Sequence, residues 1–388
     1  MRVLTVKTNA ILAVLLDMML LLNCRTTTSA SPRMTVLFII DGMACGTLER
    51  LHLPTLHHIR DNGVYFPDLN LPLPAHLTRN DSVESAHYYP WGCSLPNVML
   101  QTGTLFIGAA GLNEAMIQHN FPIGSTVFVV NDGAYEELRY GYSFYVRHGR
   151  AEKDQYDYAG VIQKALQIIT QHHPRFIRIH LQGTGSAGYH DLQAGRGLWS
   201  ERSLYPREMV RADSALADFI AWLKEISMLD QTAFIVMGDH GQNDEGWHAP
   251  YVGQAHKQPV LFQGYGIKKG KVMTNASSLD IAPTVCHMNQ VPLPAQNMGR
   301  ALLEIFEGEP DTETGRSLVA RLNETLLHHH HLLQEVPPAQ RSLEFERANR
   351  NFLTIESIGS WHKHVATLEE LVQHEERVLQ ELRSLIAR

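Results

Sequence analysis

What this sequence lacks narrows it before any motif is read. Four cysteines in 388 residues, at positions 24, 45, 93 and 286, are too few and too scattered for a disulfide framework, and none has Cys-x-x-Cys metal spacing. The 33 Lys and Arg are dispersed rather than run together, and with 40 Asp and Glu they leave a formal net charge of -7. That pattern offers no electrostatic footprint for a phosphate backbone, so stable nucleic-acid binding is not expected. No apolar stretch has the length and continuity of a membrane span. The nearest, Ala10 to Leu22, is short and interrupted by Asp17. A hydrophobic content of 44% with 19% charged residues excludes a chain disordered throughout.

What is present begins with that short run. Arg2 and Lys7 precede it and Thr28-Ser29-Ala30 follow it, the order of a charged region, an apolar region and a small-residue cleavage site. Residues 1–33 are therefore expected to be a signal peptide and leader, and the protein secreted or periplasmic. If Met34 is the true start, the protein is instead cytoplasmic.

Beyond the leader, five apolar stretches read as buried strands: Thr35 to Ile40, Thr126 to Val130, Phe176 to Leu181, Ala233 to Met237 and Pro259 to Phe262. Helical patterns at Leu53 to Asn62, Ala159 to His173 and Glu208 to Ser227 lie between several of them. This alternation predicts an α/β fold, a doubly wound, mostly parallel sheet with helices on both faces. From about residue 314 glycines become rare, and Leu343 to Ile358 and His364 to Ile386 look like two helices of a C-terminal extension. The expected division is thus a catalytic domain over 34–313 and a helical segment over 314–388. Leu368, Leu371, Val378, Leu382 and Leu385 form a heptad-like stripe broken by Glu375; it would pack on its own domain or join copies into a homo-oligomer. Four histidines at 328–331 point in different directions on a helix and read as a solvated face.

In a parallel sheet the loops leaving the carboxyl ends of strands form the ligand crevice. Asp41 follows the first strand, and Asp239-His240 follow the fourth. Taken alone, each Asp would pass as a turn or cap residue. Adjacent carboxylate and imidazole groups leaving a buried strand, however, can converge on one divalent cation, and His248 and His190 lie where they could return to the same cleft.

The segments around these residues carry a resemblance. Val36-Leu37-Phe38-Ile39-Ile40-Asp41-Gly42, Leu53-Pro54-Thr55-Leu56, Phe234-Ile235-Val236-Met237-Gly238-Asp239-His240-Gly241 and Gly246-Trp247-His248 occur in the order found in the alkaline phosphatase superfamily. Leu279-Asp280-Ile281-Ala282-Pro283-Thr284 and Pro292-Leu293-Pro294 match the segments that usually follow. The resemblance implies metal ligation by Asp41, Asp239, His240, His248 and His190. Ser94-Leu95-Pro96-Asn97 resembles the nucleophile segment of the phosphodiesterase branch, which makes Ser94 the implied nucleophile and Asn97 the donor to a non-bridging oxygen of the substrate. Two departures stand out. Sulfatases carry Arg where this chain has Val98, and two-metal members carry Asp where this chain has Gly185, with one extra residue before His190.

These readings predict a metal-dependent hydrolase of a phosphate mono- or diester acting through a covalent Ser94 intermediate. A sulfuric ester hydrolase, with Ser94 or Cys93 oxidised to formylglycine, is the alternative within enzymes. A degenerate relative that binds metal or an anionic ligand without turnover is the alternative outside them. The implied cofactor is one or two divalent ions, with zinc the first choice and then manganese or calcium. The implied substrate is a small-molecule, glycan or lipid-linked ester. Tyr88, Tyr89, Trp91 and Trp199 could stack on a sugar or base, or simply pack their loops.

Overall fold

The computed structural model describes residues 31–73, 95–105, 116–131, 133–248, 253–311, 317–354, 361 and 363–387. Leader residues 1–30, Cys93, Ser94, Tyr88, Tyr89 and Trp91 lie outside them. Among the described residues no helix is long and apolar enough to cross a membrane.

All five expected strands form, and three more join them. In chain order they are β1 (Met34–Ile40), β2 (Val64–Asn70), β3 (Thr126–Val130), β4 (Phe144–Arg147), β5 (Phe176–Leu181), β6 (Thr232–Met237), β7 (Lys257–Gly264) and β8 (Lys271–Val272), in one sheet of order β4-β3-β5-β1-β6-β7-β2-β8. From β4 to β6 every pair is parallel, whereas β7 runs antiparallel to both β6 and β2. β2 was not legible as a strand because Pro67 interrupts it, and its pairing with β7 shifts register between Phe66 and Leu69, the kind of irregularity that tolerates a proline.

Strand periodicity assigns β1 to two cores. Val36, Phe38 and Ile40 face one, with Leu56 and Ile59 of α1 (Pro54–Asp61), Val161 and Ile169 of α3 (Tyr158–His172), and Met209, Leu216 and Phe219 of α5 (Tyr205–Glu225). Leu37 and Ile39 face the other, with Val98 and Met99 of α2 (Leu95–Thr102) and Val285 of α6 (Ile281–Asn289). That second core continues through Leu322 and Leu326 of α7 (Leu318–Glu335) and Phe345 of α8 (Leu343–Asn349) to Leu371 and Leu382 of α9 (Leu368–Ile386). Helices therefore cover both faces, as the strand and helix alternation predicts.

The C-terminal extension departs from expectation at α7 and α8, while the α9 stripe packs on its own domain, the first of its two expected readings. α7 forms where only a solvated histidine face was anticipated; His329 is buried, stacks on Phe352 and bonds Asn349 at 2.7 Å, while His328 and His331 line a polar cavity of about 500 Å³ with His256 and Lys257. α8 stops at Asn349. The α9 stripe is buried within the chain, and the Glu375 that breaks it is fully buried too, accepting the Leu353 N–H at 3.2 Å.

The segment after β5 also differs. Gly183–Gln193 forms a helix, α4, despite three glycines in its eight first residues, since Gly183, Gly185 and Gly188 would ordinarily disfavour one. Two of those glycines allow contacts that a side chain would block, and both contacts lie at the candidate site.

Candidate functional site

The register of the sheet brings the site together. Ile39 of β1 pairs with Met237 of β6, so Asp41 and Asp239, each two residues further on, leave adjacent parallel strands at the same rim. Asp41, Asp239 and His240 are all buried, and each offers a ligand atom such that the three lie within 4.8 Å of one another. Nε2 of His240 is 4.0 Å from Asp41 Oδ1 and 3.8 Å from Asp239 Oδ1. These gaps are too long for hydrogen bonds and suit atoms grouped around a shared cation.

The surrounding bonds aim those atoms. Nδ1 of His240 donates to the Gly241 carbonyl at 2.9 Å, so in the neutral ring the lone pair sits on Nε2, the nitrogen that faces the carboxylates. Asp239 Oδ1 accepts the Gly42 and His240 N–H groups, each at 3.1 Å, and its Oδ2 accepts the Asn97 amide at 2.7 Å. Asp41 Oδ2 accepts the Tyr135 hydroxyl at 2.5 Å and lies 3.1 Å from His180 Nε2.

Electrostatics at the rim favour positive charge. Burial by itself would raise the Asp239 carboxyl, but His240 and the Gly42 and Asn97 hydrogen bonds outweigh it and hold the group well below the usual carboxylate range. Burial would likewise lower His240, yet Asp239, Asp41 and the Gly241 carbonyl raise it above its ordinary value. Two oxygens and one imidazole nitrogen in such a field fit a divalent ion.

The remaining expected residues fall around this group. The His248 ring lies against that of His240, tilted by 52° with centroids 4.2 Å apart, and Trp247, stacked on His248 at 4.1 Å, and then Tyr189, tilted at 5.3 Å, continue the ladder. The ladder depends on close backbone approach, because a Cβ on Gly246 (φ +91°) would meet the Gly188 carbonyl oxygen at 2.4 Å. His190, on α4, and His248 both lie outside the three-residue group. Asn97 is fully buried in the first turn of α2, where its amide nitrogen is committed to Asp239. The Asp239–Asn97 bond sets the start of α2 beside the rim, and Ser94 immediately precedes that helix in sequence.

Gly185 has a steric reason to lack a side chain. A Cβ there would come 1.8 Å from Asp41 Oδ1, so with Asp41 in this position no aspartate fits. Nor does Asp191 replace the missing ligand; fully buried, it accepts Arg196 Nε at 2.8 Å, Ser203 Oγ at 2.5 Å and the Leu204 and Tyr205 N–H groups, pinning the start of α5. Trp199 is engaged in loop packing, with its indole N–H on Asp244 at 3.1 Å and Arg50 over its ring at 4.8 Å. Asp213 and Asp280 carry backbone N–H groups, of Leu56 and of Ser277 and Arg300 respectively.

Three residues at the rim escaped the sequence reading. Tyr135 comes from the 3-10 helix Gly133–Arg139, and its ring stacks on His180 at 4.2 Å. His180 and Arg178 sit within β5, where an otherwise apolar strand, Phe-Ile-Arg-Ile-His-Leu, hides two polar side chains that are fully buried. A cationic residue and an imidazole two apart inside a buried strand were the available signal, since both point to the same face. Arg178 also bears on the Val98 departure, because its guanidinium lies against α2, donating to Asn97 Oδ1 and Gln101 Oε1.

A family model described as Sulfatase matches residues 104–290. Arylsulfatase K of Homo sapiens is 32% identical over 118 residues, 28% of this chain and 22% of that protein. Arylsulfatase K of Canis lupus familiaris is 31% identical over 110 residues, 27% of this chain and 20% of that protein. The match thus spans 22% of the human relative's length and 20% of the dog relative's. Among solved structures, a protein in complex with its substrate D-glucosamine-2-N,6-O-disulfate superposes with a TM-score of 0.51 at 13% identity, over 72% of this chain and 81% of that one. A 2-O GAG sulfatase gives 0.52 at 13% identity, over 73% and 76%. At such identities the likeness concerns the fold. The family match covers just under half of the chain and, together with the shared fold, makes it similar to members of the alkaline phosphatase superfamily. Within that superfamily, it is the sulfatase family whose model it matches.

Proposed function

We propose that this protein is a divalent-metal-dependent hydrolase of sulfate esters, acting on a sulfated saccharide. The observation that carries the reading is the buried convergence of Asp41, Asp239 and His240 beside the start of α2. Val98 in place of Arg favours phosphate esters from the sequence alone, but the sulfatase-family match over 104–290 supports sulfate. The neighbour described with a disulfated glucosamine and the one described as a GAG sulfatase support a saccharide.

Asp41, Asp239 and His240 would hold the ion, with His248 adjoining. When bound, the ion supplies Lewis acidity to an ester oxygen and lowers the pKa of a hydroxyl beside it. The chain's own residues do the rest. Asn97, Tyr135 and the Gly42 N–H hold the carboxylates in fixed orientations before any substrate arrives, so little reorganisation accompanies the reaction. The nucleophile is the Ser94 hydroxyl or, where Ser94 or Cys93 has been oxidised to formylglycine before catalysis, a hydroxyl of the hydrated aldehyde. A phosphate ester split through a covalent Ser94 intermediate is the second reading, and Val98 is the observation in its favour.

Hydrolysis of p-nitrophenyl sulfate, p-nitrophenyl phosphate and bis-p-nitrophenyl phosphate, with and without added divalent ions, separates the readings. Sulfate turnover that is lost in Asp239→Ala is expected. Phosphate turnover alone would establish the second reading, and no turnover above that variant would leave a non-catalytic binder. The mass of the peptide spanning Cys93 and Ser94 distinguishes an unmodified hydroxyl from an aldehyde, and elemental analysis identifies the metal.

A further inference from the structure

Arg178 lies in the middle of β5, fully buried, and reaches the carboxylates of the rim at one remove. Through one nitrogen it donates to Asn97 Oδ1, while the amide nitrogen of Asn97 donates to Asp239 Oδ2 at 2.7 Å. The same nitrogen is 3.1 Å from His180 Nδ1, and His180 Nε2 is 3.1 Å from Asp41 Oδ2. A guanidinium only donates. The Asn97 oxygen must therefore face Arg178, which turns its NH2 group toward Asp239. Nδ1 of His180 must carry the lone pair, so the ring hydrogen sits on Nε2 and is given to Asp41. One side chain thus sets both an amide orientation and an imidazole tautomer, and each relay ends on a different carboxylate of the metal group.

The guanidinium is itself held in place. Its second terminal nitrogen donates to Gln101 Oε1, Gln101 Nε2 is fixed by Gln118 at 3.0 Å, and the Phe128 ring lies 5.2 Å from the guanidinium carbon. A planar fork meeting three fixed partners is a geometry that a lysine does not reproduce.

We propose that Arg178 is a positioning residue of the metal centre, orienting Asp239 through Asn97 and Asp41 through His180. The proposal rests on the reading of Asp41, Asp239 and His240 as metal ligands; the relay itself is a property of the chain. Outer partners of this kind typically change metal affinity by about ten- to a hundredfold when removed.

The test uses the full chain, with Mn²⁺ and Ca²⁺ titrated calorimetrically into wild type, Arg178→Met, His180→Leu and His180→Gln. A glutamine can accept from Arg178 through its oxygen and donate to Asp41 through its nitrogen, as the imidazole does. Ion affinity is expected to fall about ten- to a hundredfold in Arg178→Met and His180→Leu, and to stay close to wild type in His180→Gln. Nitrogen-15 NMR of the metal-free wild type should show His180 protonated on Nε2. Undiminished affinity in a folded Arg178→Met would overturn the proposal, as would equal affinities in His180→Leu and His180→Gln. If Arg178→Met does not fold, the two His180 variants and the tautomer decide the matter. A wild type that binds neither ion defeats the metal reading itself, whereas intact ion binding with the His180 hydrogen on Nδ1 defeats the relay alone.

Discussion

Asp239 receives three N–H groups, from Gly42, His240 and Asn97, before any ligand is considered. Replacing it by alanine removes a proposed metal ligand and also leaves those buried donors without their acceptor. Asp239→Ala should therefore abolish calorimetric Mn²⁺ binding and cost about 3 kcal/mol or more in urea denaturation. Gly185 tests the same rim from the other side. Because its absent Cβ is the space that Asp41 Oδ1 occupies, Gly185→Ala should push that carboxylate away from Tyr135 and His180. The expected outcome is weaker ion binding together with about 1–3 kcal/mol lost stability, whereas Gly195→Ala, at a position with open space but a positive φ, should leave ion binding unchanged. At this scale the sequence revealed Asp41, Asp239 and His240 because each sits directly after an apolar strand. It concealed Tyr135, because a tyrosine on a short 3-10 helix carries no periodicity to mark it.

Buried carboxylates join elements here alongside the apolar faces. Asp191, at the end of α4, holds the first residues of α5 through Ser203, Leu204 and Tyr205. Asp191→Ala should cost about 3–5 kcal/mol, measured by urea denaturation, since several buried donors lose their acceptor together. Glu375 makes a different prediction. Burial raises its carboxyl from the ordinary 4.5 to about 8, with the Leu353 N–H opposing the rise. A folded-state value above the unfolded one means that the native state keeps a proton which the unfolded chain has released. Its contribution to stability is full below about 4.5 and is lost as pH rises through about 8. Glu375→Gln should consequently match wild type at low pH and exceed it by a few kcal/mol at pH 9, read from denaturation midpoints across the range. The strands and the helices α1, α3 and α5 were legible because their periodicities are strong. α4 was not, because its glycines serve close packing against Asp41 and Gln242 rather than helix propensity.

For the molecule as a whole, the second core passes without a break from Leu37 and Ile39 of the central strand to Leu371 and Leu382 of α9. Leu73 and Asn323 reinforce it, with the Leu73 N–H donating to Asn323 Oδ1 at 2.8 Å and the Asn323 amide donating to the Leu71 carbonyl. A chain ending at residue 313 would expose that face. It should lose cooperative thermal unfolding and bind the dye ANS, while the full chain unfolds in one transition.

By itself, the sequence determined the sheet, the side of it on which polar residues gather, and the first three members of the site. Those features depend on local periodicity and on strand ends, which residues adjacent in the chain can encode. Only the tertiary structure decided that Arg178 and His180 serve the rim, that Gly185 must stay bare and that the C-terminal helices complete the core. Each of those depends on which distant side chain occupies the neighbouring space, and sequence spacing does not record that.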